Sequence, residues 1–184
     1  MADESVEIAL VEKAIASRLG GSKGTLYNYF NSKEELFAAH VQTHCQFHVA
    51  AAFEQPMEGD DPFAVLTGLA ERLLDALTTD ESACFYSLIV SESQRNPSVG
   101  QIFYESGPRR GIAHVAEFLE RAREQGKIAT EDCVQAATDF ISLIHGGLPW
   151  RRVLNVVPPP SPVDIRKEAE RIARVFIRAY GARA

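Results

Sequence analysis

Between Ser22 and Leu36 the chain reads SKGTLYNYFNSKEEL, and this stretch holds the side chains best suited to touch nucleic acid. Asn28 can hold an adenine edge through two hydrogen bonds, Thr25 can contact a base or a thymine methyl, and the hydroxyls of Tyr27 and Tyr29 can reach phosphates. Gly24 lets the backbone come close to a duplex. Lys23 and Lys33 place positive charge near helix starts, where backbone N–H groups already attract anions. A buried segment would be mostly apolar, and a solvated one would not gather Tyr27, Tyr29 and Phe30 within four residues. The competing reading, a surface helix with incidental aromatics, explains neither the Asn nor the flanking lysines.

Such a face needs elements that hold it out. Residues 5–19 have helical periodicity and end at Gly20-Gly21, since glycine readily takes the backbone angles of a helix end. Ser22 suits the N-cap of a short second helix. At about 100° per residue, Leu26 and Phe30 of that helix share one face as its anchor, which leaves Thr25 and Asn28 free. Helix, glycine turn and short helix make a helix-turn-helix, whose second helix lies in the major groove. Ser32 and Glu35 form an S-x-x-E capping box, so a long helix is expected from Lys33 to about Gln55.

Helical periodicity continues beyond, and the fold class expected is all-α. The turn-rich EQPMEGDDP, residues 54–62, marks a break; the reading is a DNA-binding domain over 1–49 and a second domain over 50–184. Helices are expected near 62–79, 82–95, 98–105, 108–125, 131–154 and 163–180. The Gly146-Gly147 pair inside the fifth is costly for a helix and would need close packing to justify it. The tract VVPPPSPVD is a stiff connector. In the last helix Ile165, Ala169, Ile172, Ala173, Phe176 and Ala179 form one stripe. That stripe is expected to seat a dimer partner together with the 131–154 helix.

The net charge of -6 confines any nucleic-acid contact to a local patch. Three cysteines at wide spacing, with no C-x-x-C, suit reduced thiols. No basic-then-apolar leader opens the sequence and no membrane-length apolar run occurs, so a cytoplasmic protein is expected. G-x-S-x-G, H-E-x-x-H, G-x-G-x-x-G and paired E-x-x-H are all missing, so neither an enzyme nor a cofactor is expected.

Weaker signals lie elsewhere. His40, His44 and His48 recur every four residues, and a pair such as His40 and His44 could chelate a metal ion; histidines lining the junction between the domains is the favoured reading. Aromatic residues of the second domain could line a cleft for a small apolar ligand. Phe85, Phe103, Tyr104, Phe118, Phe140, His145 and Trp150 are the candidates.

The run IASRLGGSKGTLYNYFNSKEEL, residues 15–36, resembles the helix-turn-helix signature of the tetracycline-repressor (TetR) family of bacterial transcription regulators, and residues 93–126 resemble the family's body more loosely. The resemblance implies a DNA-binding head, a helical ligand-binding body and a homodimer built on the last two long helices. By motif position, Ser22, Lys23, Gly24, Thr25, Tyr27, Asn28 and Tyr29 would be groove and backbone contacts, and Lys33 a phosphate contact. Two departures stand out. Gly21 replaces the family's usual valine, and only about 14 residues precede Ile15, so the head's additional first helix is expected to be missing or truncated. The function expected is a ligand-responsive regulator, a repressor released from a near-palindromic double-stranded DNA operator by a small apolar or aromatic effector. The alternative is a helical metal- or ligand-binding protein whose incomplete head does not bind DNA.

Overall fold

The computed structural model describes residues 33–45 and 50–182. The helix-turn-helix pair, with Ser22, Lys23, Gly24, Thr25, Tyr27, Asn28 and Tyr29, lies outside the described residues, as does His48. Among the described residues the chain is helical, and its one extended pairing is an isolated antiparallel bridge between Ile128 and Gly181.

Helix α1 spans Lys33–His44, followed by a 3-10 turn, Ala50–Phe53. The single helix expected to reach Gln55 is therefore not continuous: by Ala50 the backbone has left the α-helix, and Glu54 and Gln55 lie in a bend. Next come α2 (Pro62–Leu77), α3 (Asp80–Arg95), α4 (Pro97–Ser106), α5 (Pro108–Glu124), α6 (Cys133–His145), α7 (Leu148–Val153) and α8 (Pro162–Tyr180).

The boundaries follow local chemistry. Asp61 accepts from the Phe63 N–H at 2.9 Å ahead of Pro62, which fits the first turn because a helix start does not need its N–H. Thr79 caps α3 and Asp132 caps α6, each accepting from the N–H three residues on. Asn96 closes α3 and opens α4. Ser161 and Asp164 form a reciprocal capping box on α8, whose hydrogen bonds to Ser161 hold the Asp164 carboxyl below its ordinary range.

The expected 131–154 helix is two helices. Gly146 still has helical angles, but Gly147 (ψ -117°) turns the chain out of the helix. A side chain there would have its Cβ 2.7 Å from the Glu168 carboxylate, so the glycine permits α7 to begin hard against α8.

Two apolar clusters hold the structure. The larger joins α2, α5, α6 and α8, with Leu66, Leu69, Leu119, Phe140, Ile172 and Phe176 at its centre. Phe140 and Phe176 meet edge to face with centroids 5.3 Å apart. The stripe of α8 expected to face a dimer partner is thus covered mainly by α2 of the same chain: Ile165, Ala169, Ile172, Ala173 and Phe176 are buried, and Ala179 alone of that set is exposed. Periodicity reports that a face is buried but not by which chain. The smaller cluster, Phe37, Val41, Cys45, Phe85, Ile89 and Val99, fastens α1 to α3 and α4.

Candidate functional site

A cavity of about 220 Å³ lies where the two clusters meet. Its wall takes His44 and Cys45 from α1, Phe53 from the 3-10 turn, and Leu73 and Leu77 from α2. Phe85 and Tyr86 of α3, Phe103 of α4, the first residues of α5, and Ile141, Ile144 and His145 of α6 continue it, and Pro149, Trp150 and Val153 of α7 close it. It is smaller than the roughly 300–1,000 Å³ of common ligand sites and shares their largely apolar lining.

Helical phase sets this wall. Ile141, Ile144 and His145 stand at i, i+3 and i+4 on α6, so they share a face, while Phe140, one residue earlier, is rotated by about 100° into the large core. Gly111 admits the Phe53 ring, whose Cζ lies 3.2 Å from where a Cβ would stand, and His114 stacks on that ring at 5.3 Å between centroids. His44 stacks on Phe85 at 3.7 Å and 20° between planes, and Phe103 is tilted against Phe85 at 6.2 Å.

Among the cavity's polar side chains, the Ser82 hydroxyl is already engaged, donating to the Ala76 carbonyl at 2.7 Å. Burial pushes the Cys45 thiol up to about 11, which keeps it protonated and unreactive near neutrality. Burial lowers the pKa of His145 below the ordinary 6.5, which favours the neutral ring. No Lys, Arg, Asp or Glu side chain lines the cavity among the described residues.

The sequence candidates divide. Phe85, Phe103, His145 and Trp150 come together in this wall. Phe118 and Phe140 do not: both are buried in the large core. Tyr104 stands half exposed on α4. Sequence reading also passed over His44, Cys45, Phe53 and the α2 leucines as cavity residues. The His44 spacing was visible, but its contact with Phe85, 41 residues on, was not.

Arg152 went unnoticed as well. Almost fully buried, it donates to the Thr78 carbonyl at 3.0 Å, to the Val157 carbonyl at 2.8 Å, and to the Asp80 carboxylate, pinning α7 to the α2–α3 corner. It thereby fixes Pro149, Trp150 and Val153 across the cavity.

His40 and His44 lie with ring centroids 6.4 Å apart, and both rings pack on Phe85. No group of three or more His, Cys, Asp or Glu able to hold a metal ion occurs among the described residues. Lys33 is the first residue of α1. No described helix is long and apolar enough to cross a membrane.

Residues 64–182 match the family described as AefR-like transcriptional repressor, C-terminal domain, and residues 12–40 match bacterial regulatory proteins, tetR family. No curated protein sequence matches the chain. Among solved structures, the flavonoid-responsive regulator FrrA is 34% identical, with a TM-score of 0.72 over 94% of this chain and 87% of FrrA. A TetR-family transcriptional regulator from Mesorhizobium loti MAFF303099 is 25% identical, with a TM-score of 0.75 over 93% of this chain and 86% of that one. A TetR regulator from Agrobacterium tumefaciens, at 24% identity, shares the fold, with a TM-score of 0.72 over 97% of this chain and 88% of its own.

Proposed function

The chain belongs to the TetR family of bacterial regulatory proteins, and from that premise we propose that it is a ligand-responsive repressor whose cavity is the effector site. The observation that carries this reading is that α1 enters both halves of the task. Its first residue, Lys33, follows directly on the helix-turn-helix segment, and its last turn supplies His44 and the adjoining Cys45 to the cavity wall. A molecule filling the cavity presses on the helix that carries the head.

Ser22, Lys23, Gly24, Thr25, Tyr27, Asn28 and Tyr29 are proposed as DNA contacts, with Lys33 holding a phosphate. The head ends near residue 49. The match to AefR-like repressors supports the repressor sense, and a DNA-bound regulator works in the cytoplasm. The effector is an apolar or aromatic molecule. Support comes from the aromatic wall and from FrrA, a relative that responds to flavonoids.

A homodimer would bring two heads to half-sites about one helical turn, roughly 34–36 Å, apart. The seam proposed runs along the groove between α6 and α8, lined by Ser142, Leu143, Val175 and Ala179. A second copy laid there would cover these side chains; Val175→Glu should give monomers by light scattering, and an unchanged dimer would move the seam elsewhere.

The deciding experiment titrates candidate aromatics, flavonoids first, into the purified protein with and without operator DNA. Trp150, the chain's single tryptophan, reports occupancy by its fluorescence. Linkage requires the inducer to bind less tightly when operator is bound; equal affinity in both conditions would refute induction by that molecule.

A further inference from the structure

Most of the cavity's polarity is already satisfied or silenced. Ser82 is engaged with Ala76, the Cys45 thiol stays protonated, and the His44 ring lies flat on Phe85. Two lining side chains make no hydrogen bond to another described residue through their polar groups: Tyr86 with its hydroxyl and His145 with its imidazole, both half-buried. Tyr86 leans edge-on against Phe103, and His145 closes the α6 face begun by Ile141 and Ile144. Trp150 is half exposed, so its ring is shared between the cavity and solvent.

A polar group that meets an apolar ligand loses its water and gains no partner in return, which costs that ligand affinity. A purely hydrocarbon occupant would incur that cost at His145. A carboxylate or phosphate would fare worse, because among the described residues no lysine or arginine lines the cavity to balance its charge. What suits the site is a flat apolar body, to lie among Phe85, Phe103 and Trp150, that carries a neutral group able both to give and to take a proton in hydrogen bonding.

Building on the reading of this cavity as the effector site, we propose that the chain selects uncharged hydroxylated aromatics, and that His145 is the specificity-determining residue, exchanging a hydrogen bond with the ligand's hydroxyl. The neutral imidazole offers one donor and one acceptor, so it can accept from a phenolic O–H. Tyr86 offers the second polar contact. Changing His145 should alter which ligands release DNA.

The test uses three probes of one shape, naphthalene, 2-naphthol and 2-naphthoate, with the full-length protein. Calorimetry on the wild type should rank 2-naphthol about tenfold tighter than naphthalene, the weight of one well-made hydrogen bond and one avoided orphan, with no saturable binding of 2-naphthoate. His145→Phe keeps a ring in place and removes both nitrogens; it should bring the 2-naphthol preference close to one while naphthalene binds as before or better. Should that variant misfold, His145→Gln, which retains a donor and an acceptor, should keep part of the preference and Tyr86→Phe should lower it. A preference that persists undiminished in His145→Phe, or tight binding of 2-naphthoate by the wild type, overturns the assignment of His145 and leaves the cavity as the effector site. Failure of all three probes to bind, with Trp150 fluorescence unchanged, overturns the cavity reading and this inference with it.

Discussion

The large core closes α2, α5, α6 and α8 around 24 buried apolar side chains, whereas six fasten α1 to α3 and α4 among the described residues. Each large side chain fully buried contributes about 1.5–3 kcal/mol, so the body's attachment to itself outweighs its attachment to α1 severalfold. Allosteric coupling is typically worth 1–3 kcal/mol, the scale of one or two residues of the small cluster. A ligand of ordinary affinity could shift α1 on α3 and α4 and could not repack the large core. The cavity sits at the border, touching Cys45 and Phe85 of the small cluster and Leu73, Ile141 and Ile144 of the large one.

The sharpest test of this difference is a cavity cut in the large core. Phe176→Ala removes a side chain that is almost wholly buried and packed on Phe140 and Tyr180, and should cost about 3–5 kcal/mol in urea unfolding. A loss below about 1 kcal/mol would mean that the α2–α8 contact does not dominate stability.

Arg152→Met comes next. The Asp80 side chain is 84% exposed, so the ion pair itself contributes little. The two carbonyls matter more: without the guanidinium, the Thr78 and Val157 oxygens lose their donor, and a loss of about 2 kcal/mol is expected, with shifted Trp150 emission as α7 loosens. Asp80→Asn should cost well under half of that. Equal losses in the two variants would shift the weight to the ion pair.

These residues also show how far the sequence could be read. The proline and polar caps at Pro62, Asn96 and Ser161 act within a few residues, and the helices they bound lay close to expectation. The Gly146-Gly147 break carried its local signal too, glycine's poor helix propensity, but whether packing overrides that signal depends on Glu168, 21 residues on. Whether a core residue also borders the cavity is set by a rotation of about 100° and by which helix lies opposite; Phe140 and Ile141 both belong to the large core, and only Ile141 reaches the cavity wall. Arg152 carried no local signal, because its three acceptors come from a corner more than 70 residues back and from a connector read only as stiff.

Val41→Ala probes the small cluster. Two methyl groups leave a fully buried site, for about 1–2 kcal/mol at roughly 0.8 kcal/mol each, less than Phe176→Ala. Its effect on coupling should be disproportionate. The ratio of effector affinities with and without operator should change severalfold in Val41→Ala and stay near the wild-type value in a large-core variant of matched stability, such as Ile172→Val. If both variants change the ratio alike, the two clusters do not divide the labour between coupling and stability.

The smallest effect expected is electrostatic, and it lies at the border between the clusters. Burial holds the folded-state pKa of His145 below the ordinary 6.5, so as pH falls the unfolded chain takes up this proton before the folded one does. The residue's contribution is therefore at full value above about pH 6.5 and is lost progressively as the pH drops below it, down to the folded-state pKa. The informative quantity is the difference between wild type and His145→Phe, each referred to its own stability at pH 8. The wild type should lose more stability than the variant between pH 6.5 and 5, and the gap should widen when 2-naphthol occupies the cavity, because the bound hydroxyl further excludes the water a charged imidazole needs. Parallel curves without ligand would mean that water reaches His145 freely at the cavity wall, and the neutral, partner-seeking imidazole on which the ligand preference depends would have to be given up.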